Sequence, residues 1–113
     1  MLIKRKEIKE KDGSIGYIES VFDSTNILKT TYFPQKQRLY IAFNRGGTYS
    51  YGEIDNKIYE EFENNESQGV FFQKKIKNKF PFAKEFTLYP NEVNEIKQMV
   101  EAYKTYKNDE DNE

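Results

Sequence analysis

Apolar and polar residues alternate through the middle of the chain, which is the pattern of strands with one buried face. The run RLYIAF has an apolar residue at every second position and lies between two turn signals, at residues 34–37 and 44–47. NILKTTYF precedes the first turn, and TYSYGEI follows the second. Because short strands joined by tight turns pair with their neighbours, this region predicts a three-stranded antiparallel meander.

The N-terminal segment predicts a β-hairpin over residues 3–21. Asp12-Gly13 separates two extended runs, LIKRKEIKE and SIGYIESVF. Asp-Gly favours a tight hairpin turn because glycine permits a positive φ. With the meander, this hairpin gives an antiparallel sheet of three to five strands.

After the meander the apolar period lengthens to that of a helix. Asp55 is a suitable N-cap for a helix over residues 56–65, and Ser67 can cap a second short helix that ends near residue 78. The apolar stripe of the first helix consists of Ile54, Ile58, Tyr59 and Phe62. On the second helix, Phe72 and Ile76 lie one turn apart and are expected to face inward.

The last third of the chain predicts one longer helix. Pro81 interrupts the helical pattern, so KFPFAKEFTLYP is interpreted as extended or irregular. A third helix is expected to begin near Pro90, with an apolar stripe made by Val93, Ile96, Val100 and Tyr103. The fold class is therefore α+β, with the sheet, two short helices and a C-terminal helix, and the helices are expected on one face of the sheet.

The residue types present exclude several kinds of site. The chain has 113 residues, which is one domain by length, and it contains no Cys and no His. Disulfides, the usual zinc and iron–sulfur ligands, and Ser-His or Cys-His nucleophilic pairs are therefore excluded. No glycine-rich phosphate loop is present, and no uncharged run is long enough to cross a membrane. We expect no enzyme activity, no cofactor, no metal site and no membrane contact, and we expect a cytoplasmic location.

Opposite charges nearly balance overall but are separated along the chain. Lys and Arg number 18 and Asp and Glu 19, while residues 55–66 are mainly acidic and residues 74–86 mainly basic. The basic segment is the candidate for contact with phosphates. The residues proposed for it are Lys74, Lys75, Lys77, Lys79 and Lys84, extended by Arg45. The alternative is a solvated helix face beside the acidic helix, with lysines near its end that suit the helix dipole.

Tyr49 and Tyr51 point to the same side of their strand, because residues i and i+2 share a face. Two interpretations stay open for this pair. The rings are either core residues with hydroxyls at the rim, or a platform on which unpaired bases stack. Packing of helices on the aromatic face would favour the first interpretation. The nearby phenylalanines are interpreted as core residues, namely Phe71, Phe72, Phe80 and Phe82.

The order of these residues resembles the KTSC domain, which occurs at the C-terminus of some lysyl-tRNA synthetases and as small bacterial and phage proteins. The resemblance covers residues 19–84. It rests on Ser24-Thr25-Asn26-Ile27, RLYIAF, Gly46-Gly47, Tyr49-Ser50-Tyr51, Tyr59, Ser67, Gly69, Phe71-Phe72, Ile76 and the FPF of residues 80–82. The chain departs from the family pattern at Gln73, where Asn is common, and in FPF, where a Tyr is frequent. Outside the resemblance lie an N-terminal hairpin extension (1–18), a C-terminal helix extension (85–107) and an acidic tail expected to be disordered (108–113).

The resemblance implies a small non-catalytic domain for which RNA binding has been suggested. Together with the basic segment and the tyrosines, it leads to the hypothesis of a module that binds single-stranded RNA or DNA. The competing hypothesis is a protein–protein interaction module, for example a phage-encoded regulator or inhibitor of a host protein, which would act in the host cytoplasm. The acidic helix and the acidic tail favour this alternative, since they would repel nucleic acid.

Overall fold

The structure, a computed structural model, describes residues 1–111, and it describes side chains for residues 1–107. Six antiparallel strands form one sheet in which the spatial order follows the chain order. The strands are β1 (Leu2–Lys9), β2 (Ile15–Phe22), β3 (Ile27–Phe33), β4 (Arg38–Phe43), β5 (Gly47–Tyr51) and β6 (Phe82–Thr87). The helices are α1 (Asn56–Asn64), α2 (Gln68–Phe71) and α3 (Pro90–Asp111), and a π-helical turn, Phe72–Ile76, directly continues α2.

The predicted hairpin and meander are both confirmed. β1 pairs with β2 across the Asp12-Gly13 turn, in which Gly13 has a φ of 89°. β3, β4 and β5 pair in sequence as the meander, with Gly46 at a φ of 96° in the second turn. Glycine adopts this left-handed conformation without the steric penalty of a Cβ. The α+β class is therefore correct.

The sheet is larger than the predicted three to five strands, because β6 adds a sixth. β6 pairs with β5 so that Phe82 lies opposite Tyr51 and Lys84 opposite Tyr49. All six residues of β6 are exposed, so the strand has no alternation of buried and exposed positions. Its extended conformation was predicted but its pairing was not, since an edge strand without a buried face has no period-2 signal.

The main core lies between one face of the sheet and the layer made by α1, α2 and the π-turn. Tyr32 of β3 stacks on Tyr59 of α1 with ring centroids 4.2 Å apart and planes within 6°. Phe22 of β2 meets Phe62 of α1 edge-on at 5.6 Å. Offset or edge-on contacts between aromatic rings add to the stabilisation from burial alone. The other buried residues of this cluster are Ile18, Ile27, Leu39, Ile41, Tyr51, Ile54, Phe71, Phe72 and Ile76.

Side-chain caps begin both short helices where the sequence places them. The Asp55 carboxylate accepts a hydrogen bond from the Ile58 N–H at 2.9 Å, and the Ser67 hydroxyl accepts one from the Val70 N–H at 3.2 Å. The second helical segment ends at Ile76 rather than near residue 78, and its last turn is π-helical. The helical backbone ends at Lys77, which has a ψ of 128°, and Asn78 follows with a φ of 63°.

The third helix begins at Pro90 as predicted, but it packs on the opposite face of the sheet from α1 and α2. Its Val93 joins Leu28 of β3, Ala42 of β4 and Leu88 in a separate buried cluster, with Ile96 packed against it. The expectation that all helices share one face is therefore wrong. Leu28 and Ala42 are buried apolar residues on the second face, and α3 covers them.

The C-terminal helix continues to Asp111, beyond its predicted end at Lys107. No glycine or proline follows Pro90, so no backbone signal stops the helix at Lys107. The acidic tail that was expected to be disordered begins at residue 108, whereas the helix bounds include residues 108–111, and residues 112 and 113 lie outside the described residues. Along the part of the chain that the structure describes, no helix is both long enough and apolar enough to cross a membrane.

Burial raises the pKa of three core tyrosines, most strongly that of Tyr59 on α1. Burial raises the pKa of Tyr51 to about 12, with a smaller contribution from neighbouring Tyr49. Burial also raises the pKa of Tyr32 to about 12, and the carboxylates of Asp55 and Glu60 add to the shift. In each case the phenolate is disfavoured because it would lose its hydration.

Truncation of a core phenylalanine tests the placement of α1. We expect Phe62→Ala to lower the free energy of unfolding by roughly 3–5 kcal/mol, because Phe62 is fully buried and its loss leaves a cavity. Urea denaturation measures the change. The matched control is Phe86→Ala, since Phe86 is 52% exposed, and it should change the free energy by less than about 1 kcal/mol. Equal losses in both variants would contradict the described core.

Alkaline unfolding tests the burial of Tyr51. Unfolded tyrosines lose their protons near pH 10, before folded Tyr51, whose pKa is about 12. This contribution to stability is therefore complete below pH 10 and falls as the pH rises towards 12. We expect Tyr51→Phe to make the decline of unfolding free energy above pH 10 shallower than in the wild type. Tyr106→Phe is the control, since Tyr106 is 63% exposed, and it should follow the wild type. A Tyr51→Phe curve parallel to the wild type would refute the burial of the hydroxyl.

Candidate functional site

A cleft of about 630 Å³ opens on the face of the sheet that carries α1 and α2, between strands β4 to β6, the loop before β3 and the π-turn. These segments are far apart in the sequence, and the pairing of the strands brings them together. The lining combines aromatic rings, amides and two cations. Its residues are Thr25, Asn26, Phe43, Asn44, Arg45, Tyr49, Tyr51, Phe72, Gln73, Lys77, Asn78 and Phe82.

The two tyrosines of β5 have different positions in this cleft. Tyr51 is only 5% exposed and packs edge-on against Phe72 of the π-turn at 5.5 Å between ring centroids. Tyr49 is half-buried and contacts Phe43 of β4 edge-on at 6.0 Å. Tyr51 is therefore a core residue that also reaches the cleft, whereas Tyr49 keeps part of its ring open to it.

Phe82 is the aromatic residue that the sequence interpretation misplaced. It was expected in the core, but it is 60% exposed on the edge strand β6. Its ring lies 6.1 Å from Tyr51 and 6.4 Å from Tyr49, between ring centroids. Phe82 is exposed because β6 is an edge strand, which pairs with the rest of the sheet on one side only. Phe82 thus forms an outer aromatic wall of the cleft.

Of the six basic residues proposed for the site, Arg45 and Lys77 line the cleft. Lys77 is brought there by the π-turn, because its N–H donates to the carbonyl of Phe72, five residues earlier, at 2.8 Å. Lys77 leaves the helical conformation at this point, with a ψ of 128°, and lines the cleft together with Phe72. The remaining four are exposed outside the lining, namely Lys74, Lys75, Lys79 and Lys84.

The acidic helix α1 does not neutralise these basic residues in the described part of the chain. Its buried carboxylate, Glu63, instead pairs with Arg5 of β1 at 2.6 Å. The ion pairs among described side chains join Arg5 to Glu7 and Glu63, and Lys104 to Asp23 and Glu101. None of them involves a lysine of residues 74–84 or Arg45, so the positive charge around the cleft stays available.

The loop of residues 24–26 supplies polar residues that the sequence patterns did not predict for the site. The Ser24 hydroxyl accepts hydrogen bonds from the backbone N–H groups of Asn26 and Ile27, and the Asn44 amide donates to the carbonyls of Ser24 and Thr25. The loop lies against α2, where a Cβ at Gly69 would be at ordinary van der Waals distance, 3.4 Å, from Nδ2 of Asn26. Asn26 lies at the rim of the cleft.

Three amide side chains at the cleft have no side-chain hydrogen bond to the protein within the described residues, namely those of Asn26, Gln73 and Asn78. A single amide in a loop has no periodic signal, which is why sequence patterns did not identify them. The sequence did offer one indication of them, the resemblance to the KTSC domain, which includes Asn26 and from which the chain departs at Gln73. Among the described lining residues none carries a carboxylate, so the charges at the cleft are those of Arg45 and Lys77.

Comparison with known proteins agrees with this architecture. The family model of the KTSC domain matches residues 23–80, so β1, β2, β6 and α3 lie outside the matched region. A crystal structure of a KTSC domain protein from Yersinia pestis is 32% identical to this chain, with a TM-score of 0.58 over 60% of this chain and 96% of that one. No curated protein matches the chain. Because the family model covers just over half of its residues, the chain belongs to the KTSC domain family.

Proposed function

We propose that this chain is a non-catalytic binding module for single-stranded nucleic acid, with RNA as its ligand. The observation that carries the proposal is the composition of the cleft, in which aromatic rings and two cations occur together without a carboxylate among the described lining residues. We propose no reaction for the site, since the chain has no Cys or His to act as nucleophile or base near neutral pH. The cleft volume of about 630 Å³ is within the range of small-ligand pockets and can admit one nucleotide.

The aromatic contribution comes from Tyr49 and Phe82. Both rings border the cleft and retain exposed surface, so an unpaired base can stack on either without disrupting the core. Stacking of a base on an aromatic side chain contributes roughly 1–3 kcal/mol. Tyr51 contributes differently, because its buried ring supports the floor and its packing against Phe72 holds the π-turn in place.

The electrostatic contribution comes from Arg45 and Lys77 at the cleft, with further lysines outside it. Lys74, Lys75 and Lys79 are exposed on the π-turn and the loop that follows, so they can track a phosphate backbone leaving the cleft. Each phosphate neutralised by a lysine or arginine releases a counterion and makes binding more dependent on salt. A single strand can use both parts of the surface, because its unpaired bases can enter the cleft while its phosphates contact the lysines outside it.

The second candidate function is a protein–protein interaction module, and the opposite face of the sheet favours it. That face has a groove of about 240 Å³ with a floor of small residues between the aromatic walls of Phe33, Tyr40 and Phe86. Phe33 and Tyr40 meet edge-on at 5.7 Å, and Phe86 is largely exposed. Exposed apolar surface of this kind is typical of protein contacts. A protein partner, such as a host protein, would use this groove rather than the cleft.

Titration of a fluorescent single-stranded RNA of about twelve nucleotides tests the proposal. We expect Lys77→Ala to weaken binding for any sequence and to lower the slope of log affinity against log salt by about one. We expect Tyr49→Ala to weaken binding by an amount nearly independent of salt, because salt screens charges but not stacking. Tyr49→Phe should bind almost as the wild type does, since the ring is retained.

Matched controls separate binding from folding. Tyr40→Ala removes a half-buried tyrosine from the opposite face, and Lys97→Ala removes an exposed lysine of α3. Both controls should bind RNA as the wild type does, and the melting temperature of every variant is measured alongside. The proposal is refuted if the wild type does not bind RNA at low salt, or if the Lys77 and Lys97 variants bind equally well. If Tyr40→Ala is the one variant that loses binding, RNA binds in the groove on the opposite face and not in the cleft.

A further inference from the structure

We infer that the free edge of β6 is a docking site for an extended peptide segment, which adds a seventh strand to the six-stranded sheet. The segment that fits has acidic side chains on the cleft side and apolar side chains on the groove side. This inference goes beyond the proposed function and does not depend on RNA binding. It is carried by the backbone of β6 and by the different chemistry of its two faces.

β6 is the last strand of the described sheet, so its outer edge has backbone groups that no further strand pairs. The Gly52 N–H donates to the carbonyl of Pro81 at 2.9 Å, and the Leu88 N–H donates to the carbonyl of Gly46 at 2.8 Å. These two bonds fix which residues of β6 bond to β5, because bonded and non-bonded pairs alternate along an antiparallel ladder. Counted inwards along the register from both ends, three residues direct their N–H and C=O groups away from the sheet. They are Phe82, Lys84 and Thr87.

The two faces of β6 differ in chemistry. Opposite residues of neighbouring strands share a face, so Lys84 lies with Tyr49 on the cleft face. Phe86 lies with Thr48 on the groove face, and its ring is largely exposed. The described lining of the cleft has cations and no carboxylate. A strand added at this edge directs alternate side chains to the two faces, so acidic residues suit the side of Lys84 and apolar residues the side of Phe86.

Glu85 is bonded to the sheet and does not compete for the partner. It is the extra residue of β6 at the point where the register with β5 shifts. Its carboxylate accepts a hydrogen bond from the Ser50 hydroxyl at 2.6 Å, and the same hydroxyl accepts one from Arg38 of β4 at 2.8 Å. These bonds hold β6 to the two strands inside it, so a peptide can pair with β6 without displacing it. Lys84 is then the charge of β6 that selects the partner.

The other edge strand of the sheet is protected against such pairing. β1 carries four cations among its eight residues, and charged side chains commonly block an edge strand. β6 has one lysine and one glutamate, and its other four residues are uncharged. These include the exposed rings of Phe82 and Phe86. β6 is therefore the edge that accepts a strand.

Titration of a fluorescent peptide tests the inference. The probe alternates valine and aspartate over about ten residues, so that as a strand it has one apolar and one acidic face. We expect the full-length protein to bind it at least about fivefold more tightly than the same peptide with lysine in place of aspartate. The reason is that the control places like charges beside Lys84 and the cations of the cleft. Absence of binding by the aspartate peptide, or equal affinity for the two peptides, overturns the inference.

A pair of variants at one position tests the backbone pairing. Lys84→Ala removes the charge but keeps the outward N–H. Lys84→Pro removes both and keeps the bonds to β5, since proline is tolerated in an edge strand where its missing N–H would face solvent. We expect Lys84→Pro to bind the aspartate peptide at least about threefold more weakly than Lys84→Ala does, as for the loss of one backbone hydrogen bond. Equal affinities in two folded variants would contradict a seventh strand.

Hydrogen exchange in the wild-type protein gives a test that does not depend on the folding of a variant. The aspartate peptide at saturation should slow exchange of the outward amide protons of Phe82, Lys84 and Thr87, and it should leave those of β1 unchanged. Unchanged exchange in β6 overturns the inference. A dimer in sedimentation that the peptide dissociates assigns the edge to a second copy of the chain and overturns the peptide as its partner.

RNA affinity, measured on the same protein, separates this inference from the proposed function. Retained RNA binding without peptide binding overturns the docking edge and leaves the proposed function in place. Peptide binding without RNA binding at low salt overturns the proposed function alone.

Discussion

The cleft depends on the position of one ring, that of Phe72. Its side chain is buried between Phe43 of β4 and Tyr51 of β5, with ring centroids at 5.3 Å and 5.5 Å. These contacts fix the π-turn against the sheet and so define the distance between the two sides of the cleft. The π-helical hydrogen bond from Lys77 to the carbonyl of Phe72 then places a cation beside a fully apolar anchor. A buried contact that stabilises the fold thus also positions the residues that we propose to bind the ligand.

The same dependence on the core explains how much of the molecule the sequence could predict. Strands β2 to β5 and helix α1 each turn apolar residues towards the main core, and their period-2 or period-3.6 patterns predicted them. Asp55 and Ser67 were predicted as the caps of α1 and α2. β6 has no buried face, so only its backbone pairing with β5 makes it a strand. The face covered by α3 also could not be predicted, since an apolar stripe shows that a helix packs but not which of two apolar surfaces it covers.

The candidate site was harder to predict than the fold because its residues come from separate segments. Tyr49, Tyr51, Arg45 and Lys77 were identified from residue type and local charge, and all four line the cleft. The lysine run was interpreted as one unit, but of its members the described lining includes Lys77, which follows a π-turn that a helical period of 3.6 residues does not predict. The amides come from the loop before β3, from the π-turn and from the residues after it, and only the folded chain brings these segments together.

The distribution of charge decides whether a chain of net charge −1 can bind a polyanion. Overall charge governs approach from a distance, but at physiological salt an interaction between exposed charges is screened beyond roughly 8 Å. What matters at the cleft is therefore which charges lie within that distance of it. Glu63 of the acidic helix is paired with Arg5 on the far edge of the sheet. The charged residues of the described lining are both cations. Phe82 of β6 adds an aromatic wall next to those cations.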